Sequence, residues 1–131
     1  MPNGRYGSNE EWDRLEAPLL EMDPALEEFA MRHGMSIGRN HHSWPERSLR
    51  WGSAPERLIQ IYLADEKRST WNIWLCASED RAGRRFWKQE FLRREVPMRE
   101  VCPVIEALLD EALEIVGSWS SGALLATGEG A

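Results

Sequence analysis

The sequence predicts a single α+β domain built as a two-layer sandwich, and three observations carry that prediction. Apolar residues recur at spacings of three and four before residue 34 and again after residue 103. Between about residues 36 and 96 they alternate with polar residues, which is the period of a strand. The breaks between the alternating runs are short enough for an antiparallel meander of about four to five strands packed on the helices. A chain of 131 residues, 42% hydrophobic and 29% charged, is long enough to bury one core without disulfides or metal.

Residues 1–8, MPNGRYGS, read as a flexible arm. A helix start follows at Asn9, with acidic residues in its first turn and Trp12, Leu15 and Leu19 as its apolar side. Pro18 argues for a short helix there, and Asp23-Pro24 reads as the start of a second one. That second helix carries Leu26, Phe29 and Ala30 on one face and ends at Gly34.

From residue 36 the period becomes two. Ile37 and Arg39 begin a short strand, and Ser48 to Trp51 alternates before the Gly52-Ser53-Ala54-Pro55 turn. Arg57 to Leu63 is the clearest strand, with Ile59, Ile61 and Leu63 facing one way and Leu58, Gln60 and Tyr62 the other. Residues 65–69 read as a charged hairpin. Thr70 to Ala77 then places Trp71, Ile73 and Leu75 opposite Asn72, Trp74 and Cys76. Residues 83–96 fit a strand or a helix, and the strand is favoured because Gly83 precedes aromatic residues and the neighbouring strand needs a partner. The long C-terminal helix, about 103–117, shows a stripe of Val104, Ile105, Leu108, Leu109, Ala112, Ile115 and Val116. Residues 120–131 read as a flexible Gly/Ser/Ala tail behind Trp119.

The net charge of −6 is unevenly spread. Residues 81–99 hold Arg81, Arg84, Arg85, Lys88, Arg93, Arg94 and Arg99 against Glu90 and Glu95, a band of +5 in an otherwise acidic chain. No secretory leader and no apolar run of membrane-spanning length is visible, so a cytoplasmic protein with no membrane association is expected. Cys76 and Cys102 form no CxxC or Cys/His array and read as reduced structural thiols.

Candidate chemistry is sparse. Adjacent residues such as His41 and His42 point to opposite sides of an extended backbone, and no third ligand stands at a metal-binding spacing, so neither a metal nor another cofactor is expected. Cys102 sits at a helix N-terminus but has no base at a recognisable spacing, and an enzyme is disfavoured. No Gly-rich phosphate loop is present.

What remains is the aromatic content, seven tryptophans in all. Trp, Tyr and Arg dominate binding hot spots, and Arg50, Trp51, Tyr62, Trp74, Arg84, Arg85 and Trp87 all fall in predicted strands. These seven are the candidate partner-binding residues, the partner being another protein or a second copy in a homodimer. The order of helix, antiparallel strands and acidic C-terminal helix resembles, at the level of fold, small bacterial accessory proteins such as secretion-type chaperones and toxin-immunity proteins. The expected function is a non-catalytic binding or accessory role. One alternative is a small-ligand binder or enzyme with a pocket between sheet and helices. Another is a single-stranded nucleic-acid binder using the 81–99 band, disfavoured because the chain is acidic overall and lacks an RNP1 pattern.

Overall fold

A computed structural model describes residues 9–40, 45–65, 70–94 and 101–126. The arm 1–8, the pair His41-His42, Trp44 and most of the expected hairpin at 65–69 lie outside the described residues, as do the side chains of Leu63, Trp71 and Cys102. The elements run α1 (Asn9–His33), β1 (Ser36–Arg39), β2 (Glu46–Trp51), β3 (Glu56–Asp65), β4 (Thr70–Arg81), β5 (Arg84–Arg94), α2 (Val101–Gly117) and a short β6 (Leu125–Ala126). The strands form one sheet in the order β1-β2-β3-β4-β5-β6, every neighbouring pair antiparallel. The fold is the expected α+β meander, and residues 84–94 are strand.

The N-terminal expectation needs correction, because α1 is one helix of 25 residues that runs through both Pro18 and Pro24. An interior proline removes a backbone hydrogen bond and costs about 3 kcal/mol. The compensation lies in Trp12, Leu15, Leu19, Met22, Leu26 and Phe29, which alternate three and four apart across both prolines and are all buried. Burying each such side chain contributes roughly 1.5–3 kcal/mol. The stripe therefore outweighs two lost bonds, and Gly34, at a φ of 65°, ends the helix.

Both helices lie on the same face of the sheet. Leu49, Ile59, Ile61, Ile73, Leu75 and Ala77 project from β2, β3 and β4 and are fully buried beneath α1 and α2. The second helix contributes Ile105, Leu108, Leu109, Ala112 and Val116. These side chains fill the space between the layers. Between β4 and β5, Ala82 and Gly83 both have positive φ, as a two-residue hairpin of the strand-matched twist requires.

A buried charge on β2 was not foreseen. Arg47 is completely buried, and its Nε and Nη2 donate to Asp23 Oδ1 and Oδ2 of α1 at 2.7 and 3.2 Å. Its Nη1 donates to Asn40 Oδ1 and to the Glu46 carbonyl, both at 3.0 Å. Glu16, about two turns earlier than Asp23 on the same side of α1, accepts from Asn40 Nδ2 at 2.7 Å, from Trp12 Nε1 at 2.9 Å and from Arg47 Nη2 at 3.5 Å. The cluster clamps the long helix to the β1–β2 hairpin.

Burial pushes the Glu16 carboxyl up, but the hydrogen bonds from Asn40 and Trp12 and the Arg47 charge outweigh it and hold the pKa below its ordinary value. A depressed carboxylate contributes stability above its unfolded pKa and loses it as pH falls through the folded value. Acidification below the ordinary carboxylate range should thus lower the urea midpoint more in the wild type than in Glu16→Gln. Parallel acid profiles for the two proteins would contradict this.

The C-terminal segment also departs from expectation. Within the expected tail 120–131, Ser121–Ala123 form a 3-10 turn and Leu125–Ala126 pair with β5, with Trp119 and Leu124 buried, and residues 127–131 lie outside the described residues. Arg57 Nη2 donates to the Trp119 carbonyl at 2.8 Å, Arg81 Nη2 reaches the Ser121 carbonyl at 3.4 Å, and Lys88 Nζ lies 5.2 Å from the Trp119 ring centre. The two arginines thus hold backbone carbonyls of this segment, and Lys88 covers the Trp119 ring.

Candidate functional site

Strand register decides which candidate residues share a surface. Successive side chains alternate between faces, so each cross-strand row belongs wholly to one side. Opposite the helices, Ser48, Gln60, Trp74 and Phe91 make one row across β2 to β5, and Arg50, Leu58, Cys76 and Gln89 make the next. Glu56, Ser78, Trp87 and Leu125 form a third, and Asp80 pairs with Arg85 beyond it. Tyr62 pairs with Asn72 on the other side of the Trp74 row.

Five of the seven candidates, Arg50, Tyr62, Trp74, Arg85 and Trp87, therefore lie on the open face. Trp51 and Arg84 do not. Trp51 pairs with Arg57 and packs against the core, while the Arg84 guanidinium lies 5.9 Å from the Phe86 ring on the helix side. Consecutive residues of a strand cannot serve one face, so Arg50-Trp51 and Arg84-Arg85 are each split.

The open face is rich in exposed apolar groups. Trp74 and Phe91 stack with centroids 6.2 Å apart and planes 16° from parallel, and Phe91 remains 52% exposed. Leu125, opposite Trp87, is 64% exposed. Arg50 and Arg85 are half exposed at two corners, paired with Glu56 at 3.7 Å and Asp80 at 3.3 Å, and Arg85 Nη2 also donates to Ser78 Oγ at 3.0 Å. Such exposed ion pairs are weak and exchange readily for other partners. Trp74 Nε1 is buried and has no hydrogen-bond partner among the described residues, an unusual state for an indole N–H.

Phe91, which the strand reading of 83–96 puts on one side with Arg85, Trp87 and Gln89, and Leu125 belong to this surface although neither is among the seven candidates. Phe91 was legible, since a period of two from Trp87 reaches it. Leu125 was hidden in a segment whose composition resembles a tail.

Cys76 lies in the middle of the face. Burial pushes its thiol pKa up, and the nearby Arg85 and Arg50 charges, which favour the thiolate, do not compensate. It is held as a protonated thiol, a poor nucleophile. Among the described residues no three His, Cys, Asp or Glu side chains are placed to hold a metal ion, and no helix is long and apolar enough to cross a membrane.

The chain matches no family model, no curated protein and no solved structure. Its function has to be argued from the open face itself.

Proposed function

We propose that this is a small non-catalytic binding or accessory protein that recognises another protein through its open sheet face. The observation that carries the reading is the Trp74–Phe91 stack, its Phe91 ring half exposed, on a sheet side that neither helix covers and that also carries Arg50 and Arg85. Large rings with few rotatable bonds lose little entropy when a partner covers them, and arginines at the rim can release weak local ion pairs to bind it. The protonated Cys76 thiol and the apolar filling between sheet and helices favour this reading over catalysis or a ligand pocket there.

Truncating a hot-spot aromatic costs about 2 kcal/mol or more, which is roughly 30-fold in affinity. Immobilised wild-type protein is expected to retain a partner from an extract of its own cells, and Trp74→Ala combined with Arg85→Ala to lose it. Met31→Ser, on an exposed position of α1, should leave retention unchanged. Equal retention by wild type and the face variant would remove the face from consideration. So would a wild type that stays monomeric at high concentration and retains nothing.

A further inference from the structure

The outer edge of β5 is a second recognition element, and the register defines it. The hairpin turn Ala82–Gly83 makes Arg81 and Arg84 the closing hydrogen-bonded pair, and bonded and non-bonded pairs alternate from there. Residues 84, 86, 88, 90 and 92 consequently turn their N–H and C=O groups toward β4. Trp87, Gln89, Phe91 and Arg93 turn theirs outward. Among the described residues only Trp87 of these meets a strand there, because β6 pairs with Phe86 and Trp87 and is preceded in the chain by the Ser121–Ala123 turn. Among the described residues, the outward groups of Gln89, Phe91 and Arg93 have no strand partner.

We infer that this edge binds an extended acidic segment of a partner protein, which adds as a strand end to end with β6. The inference rests on the reading of this chain as a protein-recognition module, but not on the open face being the surface used. Residues 89–94 offer about 20 Å of edge at the strand rise of about 3.4 Å per residue, enough for a short guest strand. Alternate donors and acceptors along that length match a peptide backbone and not a sugar–phosphate chain. Side chains of the guest on the open side would lie beside Phe91, itself stacked on Trp74, so the edge and the aromatic patch adjoin.

Charge selects the guest. β5 itself carries Arg84, Arg85, Lys88, Arg93 and Arg94 against Glu90, and Asp80 of β4 pairs with Arg85 alone. Two copies of β5 paired through this edge would bring that excess positive charge together, and like charges on opposed strands are destabilising. An acidic strand meets the opposite sign.

The test uses three short synthetic peptides: alternating valine and glutamate, alternating valine and lysine, and the glutamate peptide N-methylated on every amide, so that neither of its edges can donate. Fluorescence anisotropy with the full-length protein should show binding of the acidic peptide that tightens at low salt. N-methylation should weaken it by about tenfold or more, because ladder hydrogen bonds are lost. The lysine peptide should not bind. Gln89→Pro removes one outward N–H without touching the β4 ladder, a position where an edge strand tolerates proline, and should weaken the acidic peptide in the same way.

Equal binding of the N-methylated peptide would overturn the proposal, as would equal binding of the lysine peptide. A wild-type dimer that Gln89→Pro dissociates would assign the edge to a second copy instead and also overturn it. Trp74→Ala leaves the edge backbone intact, which separates the two readings. Loss of peptide binding with Gln89→Pro but not with Trp74→Ala upholds the edge on its own. Loss with Trp74→Ala while the N-methylated peptide still binds assigns the contact to the face and ends the edge proposal.

Discussion

Replacing Arg47 with alanine is expected to lower the unfolding free energy by about 3–5 kcal/mol, the range for breaking a buried ion pair from one side. The guanidinium is fully buried and grips the Asp23 carboxylate in a forked arrangement, its shortest bond being the 2.7 Å one to Oδ1. Its removal takes away the cation that Asp23 and Glu16, two turns apart on the same side of α1, share, leaving Asp23 only the half-exposed Arg39 at 3.6 Å, and Asn40 Oδ1 and the Glu46 carbonyl are left with one donor each, the Glu46 and Asn40 backbone N–H groups. Arg47→Lys keeps the charge but not the planar fork, so it should recover only part of the loss. Urea unfolding followed by Trp fluorescence measures both variants. A midpoint for Arg47→Ala within about 1 kcal/mol of the wild type, with unchanged m, would mean that the cluster does not hold the helix.

The same residue shows where sequence reasoning stops. In β3 and β4 the alternation of Ile59, Ile61, Ile73 and Leu75 with polar neighbours identifies both strand and inward face, because an antiparallel sheet with one open side must alternate. Arg47 breaks that pattern: by parity with Leu49 it faces inward, yet a charge there makes sense only once Asp23, Asn40 and Glu16 are known to converge on it. Those partners lie up to 31 positions away in the chain. Long-range pairing of that kind leaves no local periodic trace.

The prolines of α1 mislead for a related reason. Pro18 and Pro24 carry a strong local signal for interruption, whereas the opposing signal is spread over six residues from Trp12 to Phe29 and is worth more in sum. Splitting the helix at Pro18 divides the stripe into halves that each look short. For the candidate site the obstacle was different. Residue type does not respect faces, and a strict period of two puts Trp51 and Arg84 on the helix side and Phe91 on the open one.

Trp119→Ala is expected to cost about 3–5 kcal/mol, the usual loss for a buried Trp or Phe, although the residue stands just before a segment whose composition suggests a loose tail. Deleting residues 120–131 should cost about 2 kcal/mol or more, since it exposes the ground covered by Leu124 and removes the Ser121 carbonyl from Arg81. A flexible tail would be deleted at no cost, so thermal and urea unfolding of the two variants distinguish an integral segment from an ornamental one. The deletion has a second consequence that stability alone does not report. With β6 gone, the outward N–H and C=O of Trp87 join those of Gln89, Phe91 and Arg93, and the open edge of β5 lengthens. Longer unpaired edges recruit strands, so the truncated protein should bind the alternating valine–glutamate peptide at least as well as the wild type while losing stability. A truncated protein that folds normally yet loses the peptide would show instead that β6 is part of the docking site, and that the guest needs the end of an existing strand to start from.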